Sequence, residues 1–309
     1  MDSDLLIKEA VKEGLGLTVS SVSRLGKGAS GSVYRVICGK ENRAIAVKIS
    51  EHPLLMRQEY EMLSFLREKT ESKIPEAYFF GERDGKGIIV MEFIDGVSGA
   101  DRSLRFRAGK KHLAESIVNN LITLQRTKGE KFGPYDNPVY DTWQAYYREF
   151  AEEIYTFSLS KNEKGALDSR VMRAVEASFK CFDRIFCEEI YPPTLIHGDY
   201  WMPNFIIDKR KMELLSVVDP FNVMWADPEY ELFAMTVGYG EKLHLYELYK
   251  SKVRVSVHCD MKLELYALYS ELLWYKRLGT IEHSYLLLRA KRLMKEMKKA
   301  GIAVGESLD

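Results

Sequence analysis

The sequence predicts an α+β fold of two lobes, a small β-rich lobe followed by a larger, mainly helical one. Short β-rich runs fill residues 19–94, and helical patterns dominate beyond Gly99. The chain has 309 residues, about the length of two ordinary domains. We therefore expect an N-terminal lobe at 1–94 and a C-terminal lobe at 95–309, connected by the segment 94–99.

The elements of the first lobe follow from the spacing of its apolar residues. Residues 5–13 carry apolar side chains at helical spacing and stop at Gly14. Two strands are predicted at 32–37 and 44–49, joined by a polar turn. A helix at 54–67 and a strand at 87–93 complete this lobe.

The second lobe is predicted to be mostly helical. Helices are expected at four segments and again after Leu243; the four segments are 110–127, 142–155, 168–187 and 227–236. The segment 227–236 begins with Asp227 as N-cap and Pro228 at the first helical position, so we assign Asp227 a structural role and no part in catalysis.

Composition excludes several classes of protein. Hydrophobic residues make up 46% and charged residues 29%, as in globular proteins. Lys and Arg (45) balance Asp and Glu (45), so net charge favours neither nucleic acid nor an anionic membrane as partner. We find no apolar run of about 18 residues, as a membrane-spanning helix would need.

Two further features favour a cytoplasmic protein. The start, Met1-Asp2-Ser3-Asp4, is acidic and lacks the layout of a secretion signal. The four cysteines are scattered without metal-binding spacing, which predicts buried, reduced thiols.

A glycine-rich segment at 25–33 lies between two strand-like runs. Gly26, Gly28, Ser30 and Gly31 are expected to fold over the phosphates of a nucleotide, because glycine lets backbone N–H groups approach phosphate oxygens. The segment is not a Walker loop, which would open a helix with Gly-Lys-Ser/Thr.

Lys48 ends the next predicted strand, where its ammonium can reach α/β-phosphate oxygens. Glu59 on the following helix is the predicted ion-pair partner. Glu61 is the competing choice, but Glu59 shares a helix face with the apolar residues Leu63 and Leu66.

The strand that ends near Phe93 is predicted to cross between the lobes. There the carbonyl of Glu92 and the N–H of Ile94 would hold the adenine edge through backbone hydrogen bonds. Such contacts leave the choice between ATP and GTP open.

The most informative segment contains Asp199, followed by Asn204, and after the apolar run 214–218 by Asp219. This order of acid, carboxamide and acid is what phosphoryl transfer uses. Asp199 would accept the proton of the acceptor hydroxyl, while Asn204 and Asp219 would bind Mg²⁺ against the nucleotide phosphates.

Two other interpretations are weaker: acid–base chemistry or metal binding by His197, and a Ser/His/Asp hydrolase. His197 is expected to be a buried imidazole, hydrogen-bonded to backbone, that shapes the loop carrying Asp199. A Ser/His/Asp hydrolase is disfavoured, because the sequence has no G-x-S-x-G elbow and Ser30 lies in the β-rich lobe.

Together these motifs resemble the aminoglycoside phosphotransferase group within the protein-kinase-like fold. The resemblance rests on the glycine loop, Lys48, Glu59, the H-G-D-x-x-x-x-N pattern at 197–204 and Asp219-Pro220. No Ala-Pro-Glu element follows Asp219, which disfavours a protein substrate. The resemblance implies an ATP- and Mg²⁺-dependent kinase.

A narrower resemblance is to the fructosamine (ketosamine) kinase family. It rests on H-G-D-Y-W at 197–201, on F-G, D-N, T-W and Y-R-E between 132 and 149, and on E-Y-E-L at 229–232. It implies phosphorylation of a sugar hydroxyl on an amine-linked ketose, with Trp201 and Asp199 at the substrate.

The chain departs from that family pattern near the expected substrate site. Tyr200 stands where leucine is usual, and Met202-Pro203 replaces small residues. Three alternatives therefore stay open beside a ketosamine kinase: an antibiotic kinase of the aminoglycoside type, a nucleotide-binding pseudokinase and a protein kinase. The sequence leaves the oligomeric state open.

Overall fold

The computed structural model describes residues 3–28 and 31–302. Its contacts divide the chain into two compact units, the first made of Met1–Thr127 and His197–Val223 and the second of Lys128–Ile196 and Met224–Asp309. This division differs from the predicted boundary at residue 94, because residues 95–127 and the segment from His197 to Val223 both belong to the N-terminal unit. The functional lobes at 1–94 and 95–309 stay a prediction.

The first 127 residues contain three helices and six strands among those described. In chain order they are α1 (Ser3–Leu15), β1 (Val19–Gly28), β2 (Gly31–Cys38), β3 (Arg43–Ser50), α2 (Pro53–Lys69), β4 (Ala77–Arg83), β5 (Lys86–Glu92), β6 (Val97–Ser98) and α3 (Lys110–Gln125). A short 3₁₀ helix, Arg102–Phe106, precedes α3. The predicted elements of this part lie within one or two residues of these bounds, whereas β1 and β4 were not predicted individually.

The rest of the described chain follows in the same manner. The elements are β7 (Gly133–Pro134), α4 (Trp143–Asn162), α5 (Ser169–Lys180), α6 (Phe182–Ile185), β8 (Thr194–Ile196), β9 (Phe205–Asp208), β10 (Glu213–Val217), β11 (Met224–Ala226), α7 (Gly238–Lys242), α8 (Leu245–Lys252), α9 (Cys259–Leu278) and α10 (His283–Lys299). Two further 3₁₀ segments are Met202–Asn204 and Pro228–Thr236.

The core of the first unit is a five-stranded antiparallel sheet in the order β1-β2-β3-β5-β4. Helix α1 buries Leu6, Ile7, Ala10 and Val11 against this sheet, in a cluster with residues of β2, β3 and β5. Helix α2 buries Met56, Met62, Leu63 and Leu66, and Glu59 lies in the same buried stripe. A carboxylate in an apolar stripe needs a charged partner.

A second, three-stranded sheet in this unit has the order β10-β9-β6. Strand β9 lies in its centre and pairs with β10 on one side and with Val97 and Ser98 of β6 on the other. The predicted connection 94–99 therefore contains a strand that is hydrogen-bonded to the strand directly after Asn204.

The second unit contains the sheet β7-β11-β8 and most of the helices. Helix α9 packs against α4 and α10, and α10 also packs against α5. Among the described residues, none of the helices is long and apolar enough to span a membrane.

The helix predicted at 142–155 continues to Asn162 as α4, and two other predicted helices of this unit differ in kind from the structure. The segment predicted as one helix at 168–187 is two helices interrupted at Cys181, where Arg184 donates hydrogen bonds to the carbonyls of Gly301 and Ile302. The segment at 227–236 is 3₁₀ and not α-helical, although Asp227 does cap it by accepting a hydrogen bond from the N–H of Glu229. In both places tertiary contacts override local helix propensity.

The four cysteines are free thiols, as predicted. Cys38, Cys181 and Cys259 are buried, whereas Cys187 is exposed, so the prediction of burial was wrong for that residue.

Candidate active site

The loop that carries Asp199 lies against the segment that carries Asp219, and a glycine makes this possible. Gly198 has φ +82°, and a Cβ there would lie 1.8 Å from the carbonyl oxygen of Phe221. The carbonyl of His197 also accepts a hydrogen bond from the N–H of Phe221 at 3.3 Å. Only glycine lets the two backbones approach this closely.

Asn204 fixes the side chain of Asp199. The Asn204 amide Nδ2 donates to Asp199 Oδ2 at 2.7 Å and to the Asp199 carbonyl at 3.0 Å. Because Nδ2 is engaged, the oxygen Oδ1 is the atom of Asn204 that can bind a cation.

The pKa of Asp199 lies close to neutrality. Burial raises it to about 7, with the nearby Asp219 carboxylate adding to the rise, while hydrogen bonds from the Asn204 and Trp201 side chains lower it. A carboxyl group with such a pKa can take up a proton during a reaction near pH 7.

Asp219 has a strained backbone. Its φ is +56°, in the left-handed region, although the following residue is Pro220. The N–H of the preceding Val218 donates to the carbonyl of Asn204 at 2.9 Å, which brings Asp219 beside Asn204. Strain of this kind persists where surrounding contacts hold it, and it concentrates at functional sites.

Lys48 joins three parts of the first unit. Its Nζ lies 2.8 and 2.7 Å from the two oxygens of Glu59 and 2.9 Å from Asp219 Oδ1, which is 171 residues away in sequence. Lys48 and Glu59 are buried, whereas the Asp219 side chain is 43% exposed. The structure therefore pairs Lys48 with Glu59, as the sequence predicted, and not with Glu61.

The electrostatics of this triad favour a protonated lysine. Burial by itself lowers the pKa of Lys48, but the Glu59 and Asp219 carboxylates raise it above its ordinary value. Burial raises the pKa of Glu59 to about 7 and the Lys48 ammonium opposes that shift. Since both Glu59 oxygens accept hydrogen bonds from Lys48, the geometry supports the ion-paired form.

Three residues of the predicted glycine loop lie in strands: Gly26 and Gly28 at the end of β1, and Gly31 at the start of β2. Gly26 and Gly28 are exposed, and a Cβ at either would meet nothing within 4 Å. Packing therefore does not require glycine at these two positions, whereas a Cβ on Gly31 would lie 2.4 Å from the Ile49 carbonyl. Ser30 lies outside the described residues.

The predicted adenine-binding positions lie at the end of β5. Glu92 pairs with Ile45 of β3, and its N–H donates to the Glu76 carbonyl at 2.8 Å. The Ile94 carbonyl accepts from the N–H of Gly96 at 3.0 Å. Their roles toward a nucleotide stay a prediction.

The two other predicted residues of the loop differ in burial. His197 is fully buried, and neither ring nitrogen has a hydrogen-bond partner of ordinary geometry in the described part of the chain, unlike the expected bond to backbone. Burial lowers its pKa to about 4, against smaller raising effects from Asp219 and the Asp199 backbone. Trp201, in contrast, is 39% exposed.

These side chains suit a magnesium ion bound together with phosphates. The Asn204 Oδ1 and the Asp219 carboxylate are hard oxygen donors, which Mg²⁺ prefers, and the remaining positions around such an ion are usually taken by water and phosphate oxygens. Lys48 adds a positive charge 2.9 Å from Asp219.

A model of the fructosamine kinase family matches residues 5–299. This chain belongs to the fructosamine kinase family. The match covers nearly all of the chain, including every site residue described above.

The chain is also similar to individual proteins, at 25–27% identity. The chain is 27% identical to the protein YcbJ of Escherichia coli (strain K12) over 155 residues, which is 50% of this chain and 52% of that protein. It is 25% identical to the chloroplastic protein-ribulosamine 3-kinase of Arabidopsis thaliana over 293 residues, 91% of this chain and 84% of that protein. The chain thus matches about half the length of the bacterial relative.

Comparison with solved structures shows that this chain has the protein-kinase-like fold. The protein of Haemophilus somnus 129PT assigned as a fructosamine-3-kinase superposes with a TM-score of 0.71 at 17% identity, over 94% of this chain and 96% of that one. A thermostable mutant of aminoglycoside phosphotransferase APH(4)-Ia, in a ternary complex with AMP-PNP and hygromycin B, gives 0.69 at 15% identity, over 95% and 98%. The predicted fold is confirmed.

Sequence reasoning missed two contacts that shape the site. The first is the direct ion pair of Lys48 with Asp219, since the sequence predicted only that both residues would lie at the same nucleotide phosphates. The second is the contact of Gly99 with the catalytic loop, by which we mean residues 197–204. A Cβ on Gly99 would lie 2.2 Å from the carbonyl oxygen of Met202, so the segment after β6 packs directly against the backbone of this loop. The Gly99 position carried no motif that could have revealed it.

Proposed function

We propose that this protein is an ATP- and Mg²⁺-dependent kinase that phosphorylates a hydroxyl of an amine-linked sugar, most specifically a ketosamine. The observation that supports this proposal most strongly is that Lys48 binds two carboxylates, those of Glu59 and Asp219, with its Nζ within 2.9 Å of each. Membership of the fructosamine kinase family and the protein-ribulosamine 3-kinase of Arabidopsis thaliana among its relatives support the acceptor class.

The proposed reaction transfers one phosphoryl group. The acceptor hydroxyl oxygen forms a bond to the γ-phosphorus of ATP, the bond from that phosphorus to the ADP oxygen breaks, and ADP leaves with the electron pair. Asp199 holds the hydroxyl and receives its proton, a role supported by its pKa of about 7 and its hydrogen bond from Asn204.

The other residues position the nucleotide. Lys48, freed from Asp219 when phosphates arrive, binds phosphate oxygens while Glu59 keeps its ammonium in place. Asn204 and Asp219 would hold Mg²⁺, which would neutralise charge on the phosphates. Gly26, Gly28, Ser30 and Gly31 are proposed to cover the phosphates, and the backbone of Glu92 and Ile94 to hold the base.

Trp201 is proposed to line the sugar site. It follows Asp199 by two positions, and a tryptophan that is 39% exposed beside a catalytic acid offers an apolar face for a sugar ring. The four free cysteines support action in the reducing cytoplasm.

The test is a release assay for ADP with a panel of acceptors at fixed ATP and Mg²⁺. We expect kcat/KM for a fructose-derived ketosamine to exceed that for aminoglycosides at least a hundredfold, which corresponds to about 2.7 kcal/mol. A preference for aminoglycosides would identify an antibiotic kinase instead. Nucleotide binding without transfer to any acceptor would identify a pseudokinase.

A further inference from the structure

Tyr200 follows Asp199 directly and is almost completely buried (1% exposed). Its ring contacts Phe205, with the two centroids 4.8 Å apart. Its hydroxyl donates to the carbonyl of Ile117 in α3 at 2.9 Å and accepts from Nδ2 of Asn120 at 3.1 Å. The catalytic loop is therefore tied to α3 by a buried tyrosine hydroxyl.

Asn120 carries the connection further. It is 7% exposed, its Oδ1 accepts from the N–H of Lys73 at 2.9 Å, and its Nδ2 also donates to Ser72 Oγ at 2.9 Å. Ser72 and Lys73 lie between α2, which carries Glu59, and β4. The Asn120 carboxamide thus joins the catalytic loop to Ser72 and Lys73, which follow helix α2.

The backbone of Lys73 binds the strand β10, which leads to Asp219. Its carbonyl accepts from the N–H of Val217 at 2.8 Å and from Ser216 Oγ at 3.1 Å, both in β10. The next residue, Val218, donates to the carbonyl of Asn204 at 2.9 Å and precedes Asp219. These hydrogen bonds form a closed network, here called the circuit. It runs from Tyr200 in the catalytic loop through Asn120 and Lys73 to β10, and the bond from Val218 to Asn204 leads back to the loop.

Packing alone gives no reason for these polar groups. An apolar side chain at position 200 would fill the core without the desolvation of a hydroxyl and a carboxamide, each of which destabilises the fold when it lacks a partner. A fully hydrogen-bonded buried network, in contrast, specifies one arrangement of the backbone segments that it joins. The segments joined here carry Asp199, Asn204 and Asp219.

We propose that Tyr200 and Asn120 are positioning residues for phosphoryl transfer, which fix the loop of Asp199 relative to the strand that leads to Asp219. The proposal rests on the proposed function of the site. Neither side chain contacts the reactants; both act through the backbone of residues 199–204 and 217–219.

The first test is Tyr200→Phe, which removes the hydroxyl and keeps the ring. We expect kcat with a ketosamine to fall three- to tenfold, about the effect of one lost hydrogen bond, with the KM for ATP within twofold of the wild type. The matched control is Tyr269→Phe in the second unit, whose buried hydroxyl is bonded to Ser178 Oγ at 3.2 Å and to the Val175 carbonyl at 3.3 Å. The control should lose similar thermal stability with an unchanged kcat.

The second test measures how firmly β10 is held and does not depend on enzymatic activity. Amide hydrogen exchange of residues 213–219 should become faster in Tyr200→Phe and in Asn120→Ala, because both variants loosen the circuit that protects Val217 and Val218, and stay unchanged in Tyr269→Phe. The double variant should resemble Asn120→Ala alone in kcat and in exchange.

Two results would overturn the inference: Tyr200→Phe behaving like Tyr269→Phe in both kcat and exchange, or additive effects of Tyr200→Phe and Asn120→Ala. If the wild-type protein transferred phosphate to no acceptor, the proposed function would fail on its own. The exchange comparison would still decide whether Tyr200 and Asn120 fix β10.

Discussion

Removal of the Lys48 ammonium gives the sharpest stability prediction. In Lys48→Met, the Glu59 carboxyl stays 7% exposed among apolar residues of α2 and loses the cation bonded to both its oxygens. Breaking a buried pair in this way costs about 3–5 kcal/mol, because one group is left uncompensated. Asp219 adds little, since its side chain is 43% exposed and can be solvated.

The double variant Lys48→Met with Glu59→Met removes both charges. We expect its free energy of unfolding to lie within about 1 kcal/mol of the wild type, because replacing a whole buried pair by apolar groups is often neutral. Neither variant should transfer phosphate.

The assay is urea denaturation followed by tryptophan fluorescence, with Lys180→Met as the control. Lys180 pairs with Glu176 on the surface, where both side chains are well exposed to solvent, so its loss should leave the urea midpoint nearly unchanged. A loss of less than about 1 kcal/mol in the free energy of unfolding for Lys48→Met, or a double variant no more stable than Lys48→Met, would refute the buried ion pair.

Three other predictions concern the catalytic loop. Gly198→Ala should destabilise the fold by at least about 1 kcal/mol through its φ of +82° alone and abolish turnover, whereas Gly26→Ala, with nothing within 4 Å, should leave the urea midpoint unchanged. Gly99→Ala should displace the Met202 carbonyl and lower kcat at least tenfold in steady-state assays; an unchanged kcat would show that the loop tolerates the shift. Protonation of His197 in the unfolded state (pKa about 6.5) should lower the free energy of unfolding by about 2 kcal/mol between pH 7 and pH 5, because the buried side chain, with its pKa of about 4, takes up no proton there. The Asp199 carboxyl, whose pKa burial raises to about 7, acts in the opposite direction, so the His197 contribution is measured as the difference between the pH profiles of the wild type and His197→Gln.

Much of the first unit could be predicted from periodicity and motif. The β-rich runs of β2 and β3, the position of Lys48 at the end of the second run and the buried stripe of α2 predicted that Lys48 pairs with Glu59. The choice of Glu59 over Glu61 likewise needed only the helix face.

Contacts between distant segments could not be predicted in this way. The pairing of Lys48 with Asp219, the approach of Gly99 to Met202 and the bond of Tyr200 to Asn120 each join residues whose spacing in sequence carries no periodic pattern. Tyr200 was visible only as a departure from the family pattern, and its reason appears when Asn120 is placed beside it.

The same limit explains the differences among the helices of the second unit. The segment 227–236 is apolar and carries an N-cap signal, yet Lys262 binds both Asp227 at 2.6 Å and Glu229 at 2.8 Å, and the segment is 3₁₀. These ion pairs with α9 depend on tertiary structure, which local propensity does not contain.

The central claim is that Asp199, Asn204, Asp219 and Lys48 form one phosphoryl-transfer site. The most direct measurement compares the wild type with Asp199→Asn for two quantities, ATP affinity by calorimetry and phosphorylated ketosamine by transfer of radiolabelled γ-phosphate. An asparagine can still accept the hydrogen bond from Asn204 but cannot take the proton, so nucleotide affinity should stay within a few fold while turnover falls at least about a hundredfold. Turnover by the variant equal to that of the wild type would contradict the assignment.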